Sequence, residues 1–263
     1  MSTVYESTIG DHPVKIETGR LAGQAGGAVT VMCGDTMVLV TATASAVREG
    51  TNFVPLTVDY EERLYAAGKI PGGFFKREGR PTEQGILLCR LTDRSIRPLF
   101  HRGLRNDVQV IITALSADQE NYLDILSVIG ASAALSISNI PFNGPLGAVR
   151  VGLVDGRFVF NPTASQMEDS PLNLRLAGTS EGVVMVEAGA NELDEETMIE
   201  AISLGHQAMQ DVIEVQRRMA EEMGKPKTAF TYIEIDREVL DAVRSWGNGK
   251  IWAALDGVGS KKE

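Results

Sequence analysis

Cysteine and histidine are scarce in this sequence, with 2 and 3 copies among 263 residues, so a disulfide framework or a cysteine–histidine metal cluster is not expected. Cys33 and Cys89 sit in a strand-like and a helix-like run and read as buried thiols. His12 and His101 have no acid or thiol at ligand spacing, and His206 falls on an apolar helical stripe with Met198, Ile202 and Met209, where it reads as a core or interface residue. No apolar run approaches the roughly 20 residues needed to cross a bilayer, and MSTVYESTIGDHPVKIE has neither a basic start nor an apolar stretch. A cytoplasmic protein without a membrane partner is expected. Gly26-Gly27 does not complete a dinucleotide fingerprint, and GxxxxGK[ST] is missing, which removes two common nucleotide-binding classes.

Positive charge is also in short supply, and the formal charge of −10 argues against a surface that attracts phosphate everywhere. The average hides a reversal. Residues 63–105 hold 10 bases against 3 acids, a local charge of +7, so the remainder carries −17. An acidic chain with one concentrated basic segment points to a localised anion site.

With 43% hydrophobic and 23% charged residues the chain can bury a full core. Strands are expected at 14–17, 28–33, 36–43 and 53–60, with Gly34-Asp35 as a two-residue hairpin turn. A glycine-rich basic loop without period follows at 66–81. Thr82 and the spacing of Ile86, Leu87, Leu91 and Ile96 predict a helix that Pro98 stops. Residues 108–115 read as a buried strand and 122–138 as a small-residue helix. Strands are expected again at 148–154 and 157–161, joined by Asp155-Gly156, and at 172–177 and 182–187. One long helix is predicted from Asp194 to Met223, before Gly224 and Pro226. Abundant hairpins beside helices give an α+β class with a mixed sheet. Val239, Leu240, Val243 and Trp246 repeat with helical spacing in the last stretch, which reads as a truncated helical segment.

FFKREGRP, at 74–81, sets Phe74 and Phe75 beside Lys76, Arg77 and Arg80 in a glycine-flanked loop. Aromatic faces stack on unpaired bases for about 1–3 kcal/mol each, while neighbouring cations hold phosphates without reading bases, so the pattern suits single-stranded nucleic acid. The structural alternative is that both rings plug the core. RLTDRSIRPLF, at 90–100, places Arg90, Arg94 and Arg97 on one helical stripe, able to converge on a phosphate or carboxylate, unless Asp93 makes it an ion-paired face. Glu61-Glu62 reads as a solvated face and Asp194-Glu195-Glu196 as a helix start.

YEERLYAAGKIPGGFFKREGRP (60–81), RLTDRSIRPLF (90–100) and IGASAALSISNIPFNGPLGAVRVG (129–152) together resemble the first core domain of the polynucleotide phosphorylase family. The resemblance implies a ribonuclease PH-like domain over 1–225, with mixed sheets packed on helices, and the start of a helical linker domain over 226–263. It further implies a homotrimeric ring that degrades RNA from its 3′ end with inorganic phosphate, releasing nucleoside diphosphates, and that also polymerises them. The family's loop gives Phe74, Phe75, Lys76, Arg77 and Arg80 the task of gripping RNA, and Arg90 and Arg94 a place beside the phosphorolytic pocket. Magnesium and the catalytic groups belong to the family's second core domain. The matching positions here are Tyr122-Leu123-Asp124 for its serine turn, Met167 and Asn173 for its aspartates and Arg175 for its lysine. No catalytic or metal residue is therefore expected in this chain, and it is expected to be inactive alone. Two alternatives are an active stand-alone ribonuclease PH-like enzyme trimming transfer RNA and a regulatory module in which Arg90, Arg94 and Arg97 bind a small anion.

Overall fold

The computed structural model describes residues 2–47, 50, 52–230 and 232–256. The chain divides into two units, Met1–Thr231 and Tyr232–Glu263.

In the first unit β1 (Thr3–Ile9), β2 (His12–Thr18), β3 (Gly27–Cys33), β4 (Thr36–Val47), β5 (Leu56–Glu61) and β6 (Asn106–Ser116) form a 6-stranded sheet in the order β1-β2-β3-β4-β6-β5. β5 runs parallel to β6, while the other neighbours are antiparallel. A parallel neighbour needs a crossover, here the basic loop and α1 (Glu83–Ile96). That single topological demand places the loop between the end of β5 and the start of α1. Thr82 caps α1 by accepting from the Gly85 amide at 3.2 Å. β7 (Gly147–Val154), β8 (Arg157–Phe160), β9 (Leu172–Gly178) and β10 (Val183–Ala190) form a second, 4-stranded antiparallel sheet in the order β10-β9-β7-β8.

The helix α2 (Leu123–Ile137) runs through the middle, buried at every position from Ile125 to Ile137. Its small residues let strands come close. A Cβ on Gly130 would stand 2.5 Å from Val40 Cγ2, and one on Gly27 only 2.0 Å from the Ala134 carbonyl. Turn chemistry follows the sequence: Gly34 at φ 57° opens the β3–β4 hairpin, and Asp155 and Gly156, at 49° and 72°, make the β7–β8 turn.

The structure departs from the sequence reading in four places. β1 has no counterpart in the sequence reading, since only Tyr5 and Ile9 of its residues are buried, too few for a period. The short α3 (Ala164–Met167), held by a capping box between Thr163 and Gln166, lies in a stretch to which the sequence reading assigns no element. The single long helix is two, α4 (Glu195–Ala208) and α5 (Gln210–Met223), broken at the fully buried Met209. The break has a packing cause: α4 lies on β7 and β9, whereas α5 lies on α2 and β1. Cys33 is buried as expected, but Cys89 is only half-buried.

After α5 the chain is strapped across the end of α2. The Lys227 ammonium donates to the carbonyls of Leu135, Ser136 and Ser138 at 3.0, 2.9 and 2.7 Å, and Lys225 to those of Ala25 and Gly26. The Lys227 contacts serve the end of α2, where a helix leaves its last carbonyls without intrahelical amide partners. Burial pulls the Lys227 ammonium down to about 8. The second unit contains α6 (Arg237–Asp256), which buries none of its residues. No helix among the described residues is long and apolar enough to cross a membrane.

Candidate nucleic-acid interface

β5 ends at Glu61, and Leu64–Ala67 forms one 3-10 turn closed by Gly68 in the left-handed conformation at φ 66°. Beyond it the chain projects as a loop until Thr82. Phe74 is 94% and Phe75 78% exposed, their rings meeting edge-on at 5.4 Å. Lys76, Arg77 and Arg80 are exposed beside them, and a Cβ on Gly72, Gly73 or Gly79 would meet nothing within 4 Å. The rings are therefore not core plugs. Two adjacent exposed phenylalanines among cations form a surface that water solvates poorly and an unpaired base covers well.

Arg90, Arg94 and Arg97 do not converge on one point. Arg90 is exposed. Arg94 reaches Glu187 on β10 at 2.5 Å. Arg97, just past the end of α1, gives Nε and Nη2 to Asp93 at 2.7 and 2.5 Å, and donates to the carbonyls of Val54 and Leu56 at 2.9 and 3.1 Å. It thus pins the end of the helix to the start of β5, because the helix stops at Ile96 and the last arginine leaves the stripe.

Arg94 instead joins a cluster that the helical stripe does not reveal. Glu187 also holds Arg175 Nη1 at 2.5 Å, and Arg175 Nε lies 3.1 Å from Asp124 Oδ2. The same Asp124 oxygen takes Arg150 Nη2 at 2.5 Å, while its other oxygen accepts from the Ile125 amide at 2.8 Å. Arg150 is 2% exposed, donates to Asn173 Oδ1 at 3.1 Å, and carries the Tyr122 ring 3.6 Å over its guanidinium. Burial pulls the Arg150 guanidinium downward, with Asp124 opposing. One sequence signal could have exposed the site: a lone arginine inside the apolar run GAVRVGLV, which a buried strand tolerates only with a partner.

Asp124, Arg150, Arg175, Glu187 and Tyr122 border a cleft of about 360 Å³ whose other walls include Tyr60, Leu87 and Leu88. Burial, with Glu62 and Cys89 adding to it, pushes the Tyr60 phenol up to about 12. The cleft's charged donor set does not fit a divalent cation. Asp124 and Glu187 each spend their carboxylates on two guanidiniums, and among the described residues no group of three or more histidines, cysteines, aspartates or glutamates could hold a metal ion. Met167 and Asn173 flank the same strands without adding charge.

His206 is half-buried with Nε2 2.8 Å from the Thr179 carbonyl, a structural placement. The loop between β6 and α2 is braced by Asp118. Burial works against that carboxyl's ionisation, but donors from Asn121 and Glu120 and the neighbouring Thr36 outweigh it and hold the group at about 2.

The sequence matches the profile of the 3′ exoribonuclease family in two parts, domain 1 over residues 11–141 and domain 2 over residues 144–208. It is 55% identical over 253 residues to a polyribonucleotide nucleotidyltransferase of Heliobacterium modesticaldum, a match covering 96% of this chain and 36% of that protein. Proteins of the same name from Herpetosiphon aurantiacus and Thermus thermophilus are 56% and 54% identical, with 93% and 86% of this chain covered and 32% of theirs. The chain thus spans about a third of the length of the curated relatives it matches. Among solved structures, Rrp46 from rice (Oryza sativa) superposes with a TM-score of 0.62 over 84% of this chain and 94% of its own, at 15% identity, a likeness of fold. Two profiles in tandem, relatives more than half identical and the two-sheet architecture agree: the chain belongs to the 3′ exoribonuclease family and is its ribonuclease PH-like α+β portion.

Proposed function

We propose that this chain is the first core domain of a phosphate-dependent 3′-to-5′ exoribonuclease and polyribonucleotide nucleotidyltransferase, to which it contributes the grip on single-stranded RNA and part of the surface of a homotrimer. The observation that carries the reading is the pair of exposed rings, Phe74 and Phe75, standing among Lys76, Arg77 and Arg80 on a projecting loop. Rings of that kind stack on unpaired bases of any sequence, and the cations follow the backbone. Arg90 and Arg94 line the approach to the phosphorolytic pocket. In this setting the enzyme works in the cytoplasm on RNA ends, consuming inorganic phosphate and releasing nucleoside diphosphates.

The chain alone degrades no RNA. Phosphorolysis needs a phosphate held by free donors and a charge-stabilising ion near the scissile linkage. The cleft-lining arginines Arg150 and Arg175 are paired with Asp124 and Glu187, so magnesium and phosphate are held by other parts of the enzyme. The test is to incubate the purified chain with oligoadenylate, phosphate and magnesium, and to measure binding and nucleoside diphosphate release. Micromolar or weaker binding without release is expected. Release at the rate of a full-length relative would overturn the assignment of inactivity and favour a stand-alone phosphorolytic enzyme.

A further inference from the structure

The projecting loop touches the rest of the protein mainly at its neck. At the tip, residues 70–77, the described contacts are internal: the Phe74–Phe75 ring pair and a Lys76 amide donating to the Gly73 carbonyl at 3.0 Å. At the neck the contacts are to the body. On the ascending side the Ala117 amide donates to the Ala66 carbonyl at 3.0 Å, and Lys69 Nζ lies 3.5 Å from Gln119 Oε1. On the descending side the Thr82 amide donates to Glu62 Oε2 at 3.2 Å, and Arg63 bridges Glu61 at 2.7 Å and Glu78 at 3.9 Å. Glu61-Glu62, which reads as a solvated acidic face, is thus the anchor block of the loop. Glu61 is further tied to the sheet by Thr113 on β6 at 3.4 Å.

We infer that Glu62 and Arg63 are positioning residues that hold the descending arm of the loop against the end of β5, and so aim the two rings; the inference rests on the RNA reading above. These contacts are half-exposed, and such pairs are worth about 0–1 kcal/mol in stability, too little to matter for the fold. Their effect is geometric. With the descending arm released, the segment free to wander grows toward Arg63, and the local concentration of rings and cations at any one point of an RNA falls with it.

Glu78 makes the inference testable by sign. It is the one acid between Lys76 and Arg80, so electrostatics alone predicts that Glu78→Ala strengthens RNA binding. Positioning predicts the reverse. Binding of a fluorescent oligoadenylate to the full chain, read by anisotropy, should weaken about two- to fivefold in Glu78→Ala and in Glu62→Ala, the range of one exposed polar contact. Glu62→Gln keeps an acceptor for the Thr82 amide and should bind as the parent does. The salt dependence should keep its slope in every variant, since no phosphate contact is removed. A second readout needs no RNA: tryptic cleavage after Lys69, Lys76 and Arg77 should quicken in Glu62→Ala and not in Glu62→Gln, while the Arg80–Pro81 bond resists trypsin in every variant. Tighter RNA binding by Glu78→Ala, or equal cleavage of the two Glu62 variants, overturns the inference. If neither parent nor variants bind RNA, the RNA reading has failed, and the cleavage rates still decide whether the neck is clamped.

Discussion

Two arginine-bearing regions of this protein differ in what surrounds their charge. On the loop, Arg77 and Arg80 stand exposed beside Phe74 and Phe75, with Lys76 completing the cationic group. In the cleft, Arg175 and Arg150 are laced through Glu187 and Asp124, Arg94 joins them through Glu187, and Arg150 is buried beneath Tyr122. The lesson is that a count of guanidiniums does not measure anion affinity. Partner inventory does, because an arginine already desolvated against a carboxylate has little left for a phosphate, and separating the two costs more than a surface contact returns.

The largest expected effect tests the closed side. Asp124→Ala removes a carboxylate shared by Arg150 and Arg175 and leaves a buried charge without its principal partner, so urea unfolding should show a loss of about 3–5 kcal/mol. A loss under about 1 kcal/mol would mean that the cluster is as adaptable as the loop.

On the open side, Phe75→Ala should weaken oligoadenylate binding by about 1–3 kcal/mol, roughly fivefold to 150-fold, while the melting temperature stays put because the ring is 78% exposed. Unchanged affinity would remove the ring from the interface. Arg77→Ala should lower the slope of log affinity against log salt by about 0.7, the value of one single-strand phosphate contact, and Arg94→Ala should leave it unaltered. Equal slopes in the two variants would erase the distinction between free and neutralised arginines.

The smallest effect concerns Asp118, in the loop that meets the neck of the basic segment on one side and leads into Asp124 on the other. Its folded-state value of about 2 lies below the ordinary carboxylate range, so its contribution to stability is present above about pH 4 and is lost as pH falls toward 2. Solvent screening brings that contribution to about 1 kcal/mol. Acid unfolding of Asp118→Asn should be correspondingly flatter between pH 4 and 2, and an identical acid limb would show that the hydrogen bonds to Asp118 are not maintained in solution.

The regular elements were legible in proportion to how much of each side chain they bury. The small-residue helix α2, the hairpins at Gly34-Asp35 and Asp155-Gly156, and the Thr82 and Asp194 caps announce themselves because each is a local rule with a local cause. β1 stayed hidden because two inward residues set no period, and the break at Met209 because the pattern of Gln210 to Met223 continues that of α4 while its packing partner changes. The candidate site divides the same way. FFKREGRP is contiguous, so chemistry and spacing can be read together; Asp124, Arg150, Arg175 and Glu187 come from four elements, and nothing in their spacing announces that they meet.

By itself the sequence determined the family, the class of fold and the identity of the exposed basic loop, since these depend on side-chain type and near-neighbour spacing. Which arginines remain available to an anion was decided only by the tertiary structure. Charge neutralisation acts over a few ångströms in space: Glu187 is brought to Arg175 by the pairing of β10 with β9, and Asp124 to Arg150 by the packing of α2 on β7.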